Sequence, residues 1–383
     1  MNTKLLSSGI LLCLMSGMTS IYGADAPAPS AASASAPAMA APAAGSASAP
    51  GRGARGGRGP GGAPATADEM ATMAKLKDLP TYATGLGDGD YSTGPDYTPA
   101  VEATPKDGVP KGKVDSFKMN AADSKFYPNT GLRGATDTRQ VTVYIPSQYV
   151  PGTAAPAIVS CDAYGARNNQ LPNILDNMIA DKRLPVMIAV MIANGGGDGG
   201  GSERGLEYDT VAGKYAEFVE AEVLPMVEKN YNVKISKNPD DRMTLGGSSG
   251  GSAAFSMAWY HPEWYHRVVT YSGTYVNQQA GPDAPHGAWN YHETLIPNSP
   301  AKPLRIWLEM GERDNGAATS ASGFHNWILA NINMAAVLKA KGYHYQMVFA
   351  KGAGHTDGRT IAQTLPQALE YVWRGYPIAK ATK

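Results

Sequence analysis

Met243-Thr244-Leu245-Gly246-Gly247-Ser248-Ser249-Gly250-Gly251-Ser252 is the stretch on which the fold turns. Residues 243–245 read as a short buried strand, and 252–260 as a helix. A serine between the two, flanked by residues without side chains, suits a sharp turn that lifts a hydroxyl above the end of a sheet. Two registers satisfy Gly-x-Ser-x-Gly: Gly246, Ser248, Gly250 and Gly247, Ser249, Gly251. The first is preferred, because it lies closer to the strand end and leaves Gly251 as a further small residue just inside the helix. In a chain with 44 glycines the match alone is a modest signal. Its weight comes from the strand before it and the helix after it.

The same alternation extends in both directions. Residues 140–145 alternate apolar and polar, as a half-exposed strand does. Residues 157–160, 186–192, 268–271, 304–310 and 345–349 are short apolar runs, the pattern of strands buried on both faces of a parallel sheet. Helical periodicity occupies 171–179, 211–229, 327–341 and 361–373. This βα alternation predicts a doubly wound, mostly parallel α/β sheet with helices on both faces, and ligands in such sheets bind at the carboxyl ends of the strands.

The N-terminal part reads differently. Lys4 precedes an apolar run over 5–18, and small residues follow at Gly23, Ala24 and Ala26. Residues 1–24 therefore have the pattern of a signal peptide, with cleavage after Gly23 or Ala26, which predicts a periplasmic or secreted protein without stable membrane insertion once the signal is removed. Cys13 follows Leu12 rather than a small residue, which argues against lipid attachment. The other cysteine, Cys161, reads as a buried strand-end residue rather than a nucleophile. Residues 25–66, rich in Ala, Pro, Ser and Gly, read as a disordered spacer. Its arginines Arg52, Arg55 and Arg58 sit among glycines and read as a solvated linker rather than an RNA-binding segment. Residues 67–112 hold a helical stretch near 70–79 and then a Gly, Pro and Tyr rich strip expected to wrap the domain, which runs over 113–383. With 33 basic and 33 acidic side chains the charge is balanced, and no nucleic-acid partner is expected.

A serine hydroxyl needs a base to take its proton, and the base needs an acid to fix its tautomer. His355, after the last predicted strand and before the last helix, falls on a loop at the proper edge of the sheet. His261 and His266 end the helix that starts at the serine, His286 and His292 lie in an irregular insertion, and His325 and His344 begin elements of their own. Asp314, on the loop after the penultimate strand, is the expected acid, with Glu312 as its near rival and Glu309 and Asp357 behind. The oxyanion donors are expected from Ser249 N–H and from Ala163 or Tyr164, on the loop after an early strand. Asn194 to Ser202 is glycine-rich but lacks the Gly-Lys-Ser/Thr of a phosphate loop, which argues against nucleotide binding. After it, Arg204, Glu207 and Tyr208 fit either substrate contact or capping of the next helix. His261-Pro-Glu-Trp-Tyr-His266 lacks zinc spacing, so neither metal nor cofactor is expected.

With these residues in hand, 108–376 resembles the putative esterase family of the α/β-hydrolase superfamily, which includes enterochelin esterases, esterase D and carbohydrate esterases of the feruloyl and acetyl xylan type. The matching motifs are Gly246 to Gly251, the helix ending in Trp259 to Pro262, Arg204-Gly-Leu-Glu207-Tyr208-Asp209, Gly311 with Asp314, Asn326-Trp327, and Gly354-His355. The resemblance implies an α/β-hydrolase fold and a serine carboxylic ester hydrolase, enterochelin esterase-like, acting on a small-molecule or carbohydrate ester. It places the triad on Ser248, Asp314 and His355, and adds Trp327 beside the substrate. The chain departs from the family where Asp-Gly often follows the early strand and Asp162-Ala163 stands here, and in its own insertion over 277–300. Acyl transfer to a sugar acceptor on the same triad, and glycan binding without catalysis, are the alternative readings.

Overall fold

Apolar runs of five or six residues with few polar interruptions can satisfy their backbone only between neighbours, and here they do so side by side. The computed structural model describes residues 62–129, 131–163 and 170–378, so the predicted signal peptide, the spacer up to residue 61 and Tyr164 lie outside the described residues. The strands are β1 (Gly89–Thr93), β2 (Lys113–Asn120), β3 (Thr138–Ile145), β4 (Ala154–Ala155), β5 (Ala157–Cys161), β6 (Ile188–Ile192), β7 (Lys234–Ile235), β8 (Arg242–Gly247), β9 (Arg267–Tyr271), β10 (Arg305–Arg313) and β11 (His344–Gly354). The helices are α1 (Ala67–Lys75), α2 (Gln170–Ala180), α3 (Lys214–Phe218), α4 (Leu224–Tyr231), α5 (Ser249–Tyr260), α6 (Trp327–Ala340) and α7 (Gly358–Val372). A π-helical turn over Val219–Val223 joins α3 to α4, so the two make one long helix.

Nine strands form one sheet in the order β1-β11-β10-β9-β8-β5-β6-β3-β2. All neighbours from β1 to β6 in that order are parallel, while β3 pairs antiparallel with both β6 and β2. The fold is therefore of the α/β-hydrolase kind. Alternate residues of each central strand enter opposite layers, as a period of two requires. Val159, Val268, Ile306 and Leu308 face the layer of α3, α4, α5 and α6. Ile158, Val269, Trp307 and Val348 face α2 and α7. Each such side chain, wholly withdrawn from water, contributes about 1.5–3 kcal/mol before entropy is charged against it.

Helix α5 is apolar or small on all sides, and every residue from Ser249 to Trp259 is buried. A helix without a polar face belongs in the interior, and α5 lies directly behind the central strand β8. Two elements depart from expectation. The strip over 67–112 contains β1, which adds a parallel edge strand against β11, and β2 forms the opposite edge. At the end of the expected spacer, Ala65 N–H bonds to Ala318 O at 3.0 Å and Ser320 N–H to Ala63 O at 2.8 Å. These last spacer residues are therefore tied to the domain. Among the described residues no helix is long and apolar enough to cross a membrane.

Candidate active site

Strand β8 ends at Gly247 and α5 begins at Ser249, so Ser248 has to turn the chain in a single residue. It does so at φ 56° and ψ −130°, a region that L side chains rarely occupy. Close packing enforces the turn: a Cβ on Gly246 would come within 2.1 Å of Gly250 O. Ser248 N–H bonds to Tyr271 O at 2.9 Å, and Thr274 N–H to Ser248 O at 3.1 Å, which ties the turn to the end of β9.

Ser248 Oγ lies 2.8 Å from His355 Nε2. On the other side of the ring, His355 Nδ1 lies 2.5 Å from Asp314 Oδ1. An ionised carboxylate only accepts, so Nδ1 carries the proton and Nε2 faces the serine as an acceptor. Asp314 also accepts from Asn315 N–H at 2.7 Å and from Gly311 N–H at 3.3 Å. His355 follows β11 and Asp314 follows β10, two neighbouring parallel strands, which is why residues 41 apart meet. The rival acids are placed otherwise. Glu312 pairs with Lys77 and accepts from Gly352 N–H, and Asp357 caps α7 and pairs with Arg359. Glu309 is wholly buried in β10, where desolvation pushes its carboxyl well above the usual carboxylate range, with the charge of Asp314 acting in the same direction.

The two serines of the turn differ sharply. Ser248 reaches the histidine, whereas Ser249 is 2% exposed and its hydroxyl faces the buried Asp209. Ser249 N–H is at the first position of α5, where a helix has no internal acceptor to offer. That N–H, on the residue after Ser248, therefore has no acceptor within the helix. Ala163 differs from expectation: its N–H is donated to Ile192 O at 2.8 Å and is thereby committed to the end of β6.

Arg204, Glu207 and Tyr208 likewise have partners inside the protein. Arg204 Nε donates to both oxygens of Asp162, at 3.2 and 3.0 Å, and Nη2 to Oδ2 at 2.5 Å. Glu207 forms a buried ion pair with Arg139 and accepts from Gly195 N–H. Tyr208 is 1% exposed and its hydroxyl accepts from Asp162 N–H at 2.9 Å. All three support the loop after β5 and the glycine-rich loop. Trp327 is close to the histidine, its ring meeting His355 edge to face at 5.9 Å. Its Nε1 donates to Thr274 Oγ1 at 3.3 Å, and that oxygen lies 3.5 Å from Ser248 Oγ. Thr274, Asp162 and Asp209 were not singled out as site residues from the sequence. Their only sequence signal is position, just past β9, just past β5, and at the end of the Arg204 motif. Among the described residues, no three His, Cys, Asp or Glu side chains gather as metal ligands.

The family model described as Putative esterase matches residues 135–371. No curated protein sequence matches the chain. Among solved structures, the enterobactin esterase from Shigella flexneri crystallised with enterobactin superposes with a TM-score of 0.52 at 20% identity, over 72% of this chain and 62% of that one. The same enzyme with 2,3-di-hydroxy-N-benzoyl-glycine gives 0.51 and 20%, over 69% and 60%. This chain thus spans about three fifths of those enzymes. The ferulic acid esterase from the anaerobic fungus Anaeromyces mucronatus gives 0.53 at 14% identity, over 72% of this chain and 96% of that one. At such identities the likeness is one of fold. The family match covers well over half of the sequence, and on that ground the chain belongs to the family described as Putative esterase.

Proposed function

We propose that the chain is exported and cleaves a small-molecule or carbohydrate ester through an acyl-enzyme on Ser248. The observation that carries the reading is the line of contacts Ser248 Oγ to His355 Nε2 to Asp314, 2.8 and 2.5 Å long. His355 Nε2 takes the hydroxyl proton as Oγ attacks the ester carbonyl, and Asp314 stabilises the imidazolium that forms. The carbonyl oxygen becomes an oxyanion next to Ser249 N–H, a donor already in place before charge develops. His355 then gives its proton to the leaving alkoxide, which departs as an alcohol. Water, deprotonated by the same nitrogen, attacks the acyl-enzyme and releases the acid. The enzymes of like fold named for enterobactin and ferulic acid support a substrate whose acid or alcohol part is bulky and aromatic. Export is supported by Lys4 and the apolar run over 5–18.

Purified protein from residue 62 onward should hydrolyse p-nitrophenyl acetate, and Ser248→Ala should lower turnover by about 10⁴-fold or more. A fluorophosphonate probe should label the parent and not the variant. Undiminished turnover in Ser248→Ala, or loss of turnover in Ser249→Ala alone, would overturn the assignment.

A further inference from the structure

The chain just past β5 is built on unfavourable backbone. Asp162 and Ala163, the first two residues after β5, stand at φ 60° and 49°, two successive left-handed residues and neither a glycine. Such a conformation costs about 1–2 kcal/mol per residue and persists only where surrounding contacts hold it. The contacts are present and converge on Asp162. Its carboxylate takes three donations from the Arg204 guanidinium and one from Asn194 Nδ2, and its N–H is donated to Tyr208 OH.

This loop presses directly on the turn that carries Ser248. A Cβ on Gly250, two residues past Ser248, would come within 3.2 Å of Asp162 Oδ2 and 3.3 Å of Cys161 Cβ. Arg204 also donates to Asp198 Oδ1 at 2.8 Å, in the glycine-rich loop, while its own N–H bonds to Gly196 O at 2.9 Å. One guanidinium, 8% exposed, thus holds the loop after β5 and the glycine-rich loop against the start of α5.

We propose that Arg204, acting through Asp162, is a positioning residue for the oxyanion donor of the site, the Ser249 N–H at the start of α5, against which it holds the first residues after β5. The planar fork of arginine suits this task, since it grips both carboxylate oxygens and fixes orientation as well as distance. Lysine offers a point charge and leaves the loop free to rotate. Arg204 touches neither Ser248 nor His355, so the transfer of the serine proton stays intact when the clamp is cut.

The inference rests on the reading of Ser248 as nucleophile, and the experiment separates the two. Turnover is measured per active site, with sites counted by fluorophosphonate titration, for the parent, Arg204→Met, Arg204→Lys, Asp162→Asn and the double variant, and per mole of folded protein for Ser248→Ala. Arg204→Met and Asp162→Asn should each lower kcat per titrated site by roughly 10²-fold, the scale of one lost oxyanion donor. KM should move by no more than about threefold, and the acid limb of the pH profile should stay in place. Arg204→Lys should recover only a minor part, and the double variant should be no worse than Arg204→Met, because the pair acts as one unit. Parental kcat per site in Arg204→Met, full recovery by lysine, or multiplicative losses in the double variant would overturn the proposal. If Arg204→Met does not fold, Asp162→Asn, nearly unchanged in volume, decides by the same criteria. A fully active Ser248→Ala would instead overturn the nucleophile assignment, whatever Arg204 does.

Discussion

Asp314 Oδ1 lies 2.5 Å from His355 Nδ1, and the Asp314 side chain is completely withdrawn from solvent. Two main-chain N–H groups, from Gly311 and Asn315, hold the same carboxylate, so its plane is fixed from behind while one oxygen faces the ring. Asparagine in its place keeps the shape but offers an amide that no longer demands a proton on Nδ1. The imidazole is then free to place its proton on Nε2, facing Ser248, where it cannot act as a base. Asp314→Asn should therefore lower kcat by about 10⁴-fold, with KM much less affected. Steady-state kinetics on an activated ester check this, and a loss below tenfold would show that the histidine does not need Asp314.

Trp327 touches two members of the site at once. Its Nε1 donates to Thr274 Oγ1, which stands 3.5 Å from Ser248 Oγ, and its ring meets that of His355 edge to face. Phenylalanine keeps the packing and removes the donor. A net hydrogen bond of about 0.5–1.5 kcal/mol corresponds to a fall of roughly threefold to tenfold in kcat/KM for Trp327→Phe. Trp327→Ala, which also uncovers the ring of His355, should cost more. Equal activity in both variants would reduce Trp327 to a bystander.

What could be read from the sequence and what could not divide along physical lines. The central strands were legible because residues such as Val159, Val269 and Leu308 are buried on both faces and leave uninterrupted apolar runs. The edges were not. β2 is exposed along most of its length, and β1, Gly-Asp-Tyr-Ser-Thr, carries no apolar run at all. Both are strands by virtue of the neighbour they bond, which is a tertiary fact. Ser248, Asp314 and His355 could be proposed because connectivity alone sends the ends of β8, β10 and β11 to one edge. The partners of Arg204 and Glu207 could not. An arginine near several acids gives no clue in sequence that Asp162, 42 residues earlier, is the one it grips.

Glu309 tests how far burial outweighs charge. Its carboxyl is wholly enclosed in β10, pushed well above the usual range by desolvation and by the neighbouring charge of Asp314. Both causes favour the protonated carboxyl, so glutamine, neutral and of the same shape, should be accepted. Glu309→Gln should match the parent's unfolding free energy to within about 1 kcal/mol near pH 4, where unfolded glutamate also keeps its proton. The native chain keeps a proton that unfolded glutamate releases above about pH 4.3, so the parent should lose stability relative to the variant as pH rises. Urea titrations of both proteins would reveal an ionised Glu309 as a variant several kcal/mol weaker.

Asp209 supplies a second pH effect with a defined window. Burial pushes its carboxyl up to about 7, opposed by the Ser249 hydroxyl and by Arg204, while Asp198 and Asp162 add to the rise. An unfolded aspartate titrates near 3.9, so from about pH 4 to 7 the native chain retains a proton that the unfolded chain has lost. Stability therefore falls as pH rises through this window, by up to about 1.4 kcal/mol per unit, and levels off above 7. Asparagine mimics the protonated form. Asp209→Asn should thus resemble the parent near pH 4, exceed it increasingly up to about pH 7, and keep that advantage at pH 8. Glu207, pushed up to about 7 by its own burial, titrates in the same range and leaves a residual slope in the variant. Unfolding midpoints at pH 5 and pH 8 decide the point, because a constant gap between parent and variant would mean that Asp209 is ionised throughout. Since the Asp209 carboxyl faces the Ser249 hydroxyl, the same variant should also flatten any change in kcat between pH 6 and 8 that comes from a shift of the Ser249 N–H.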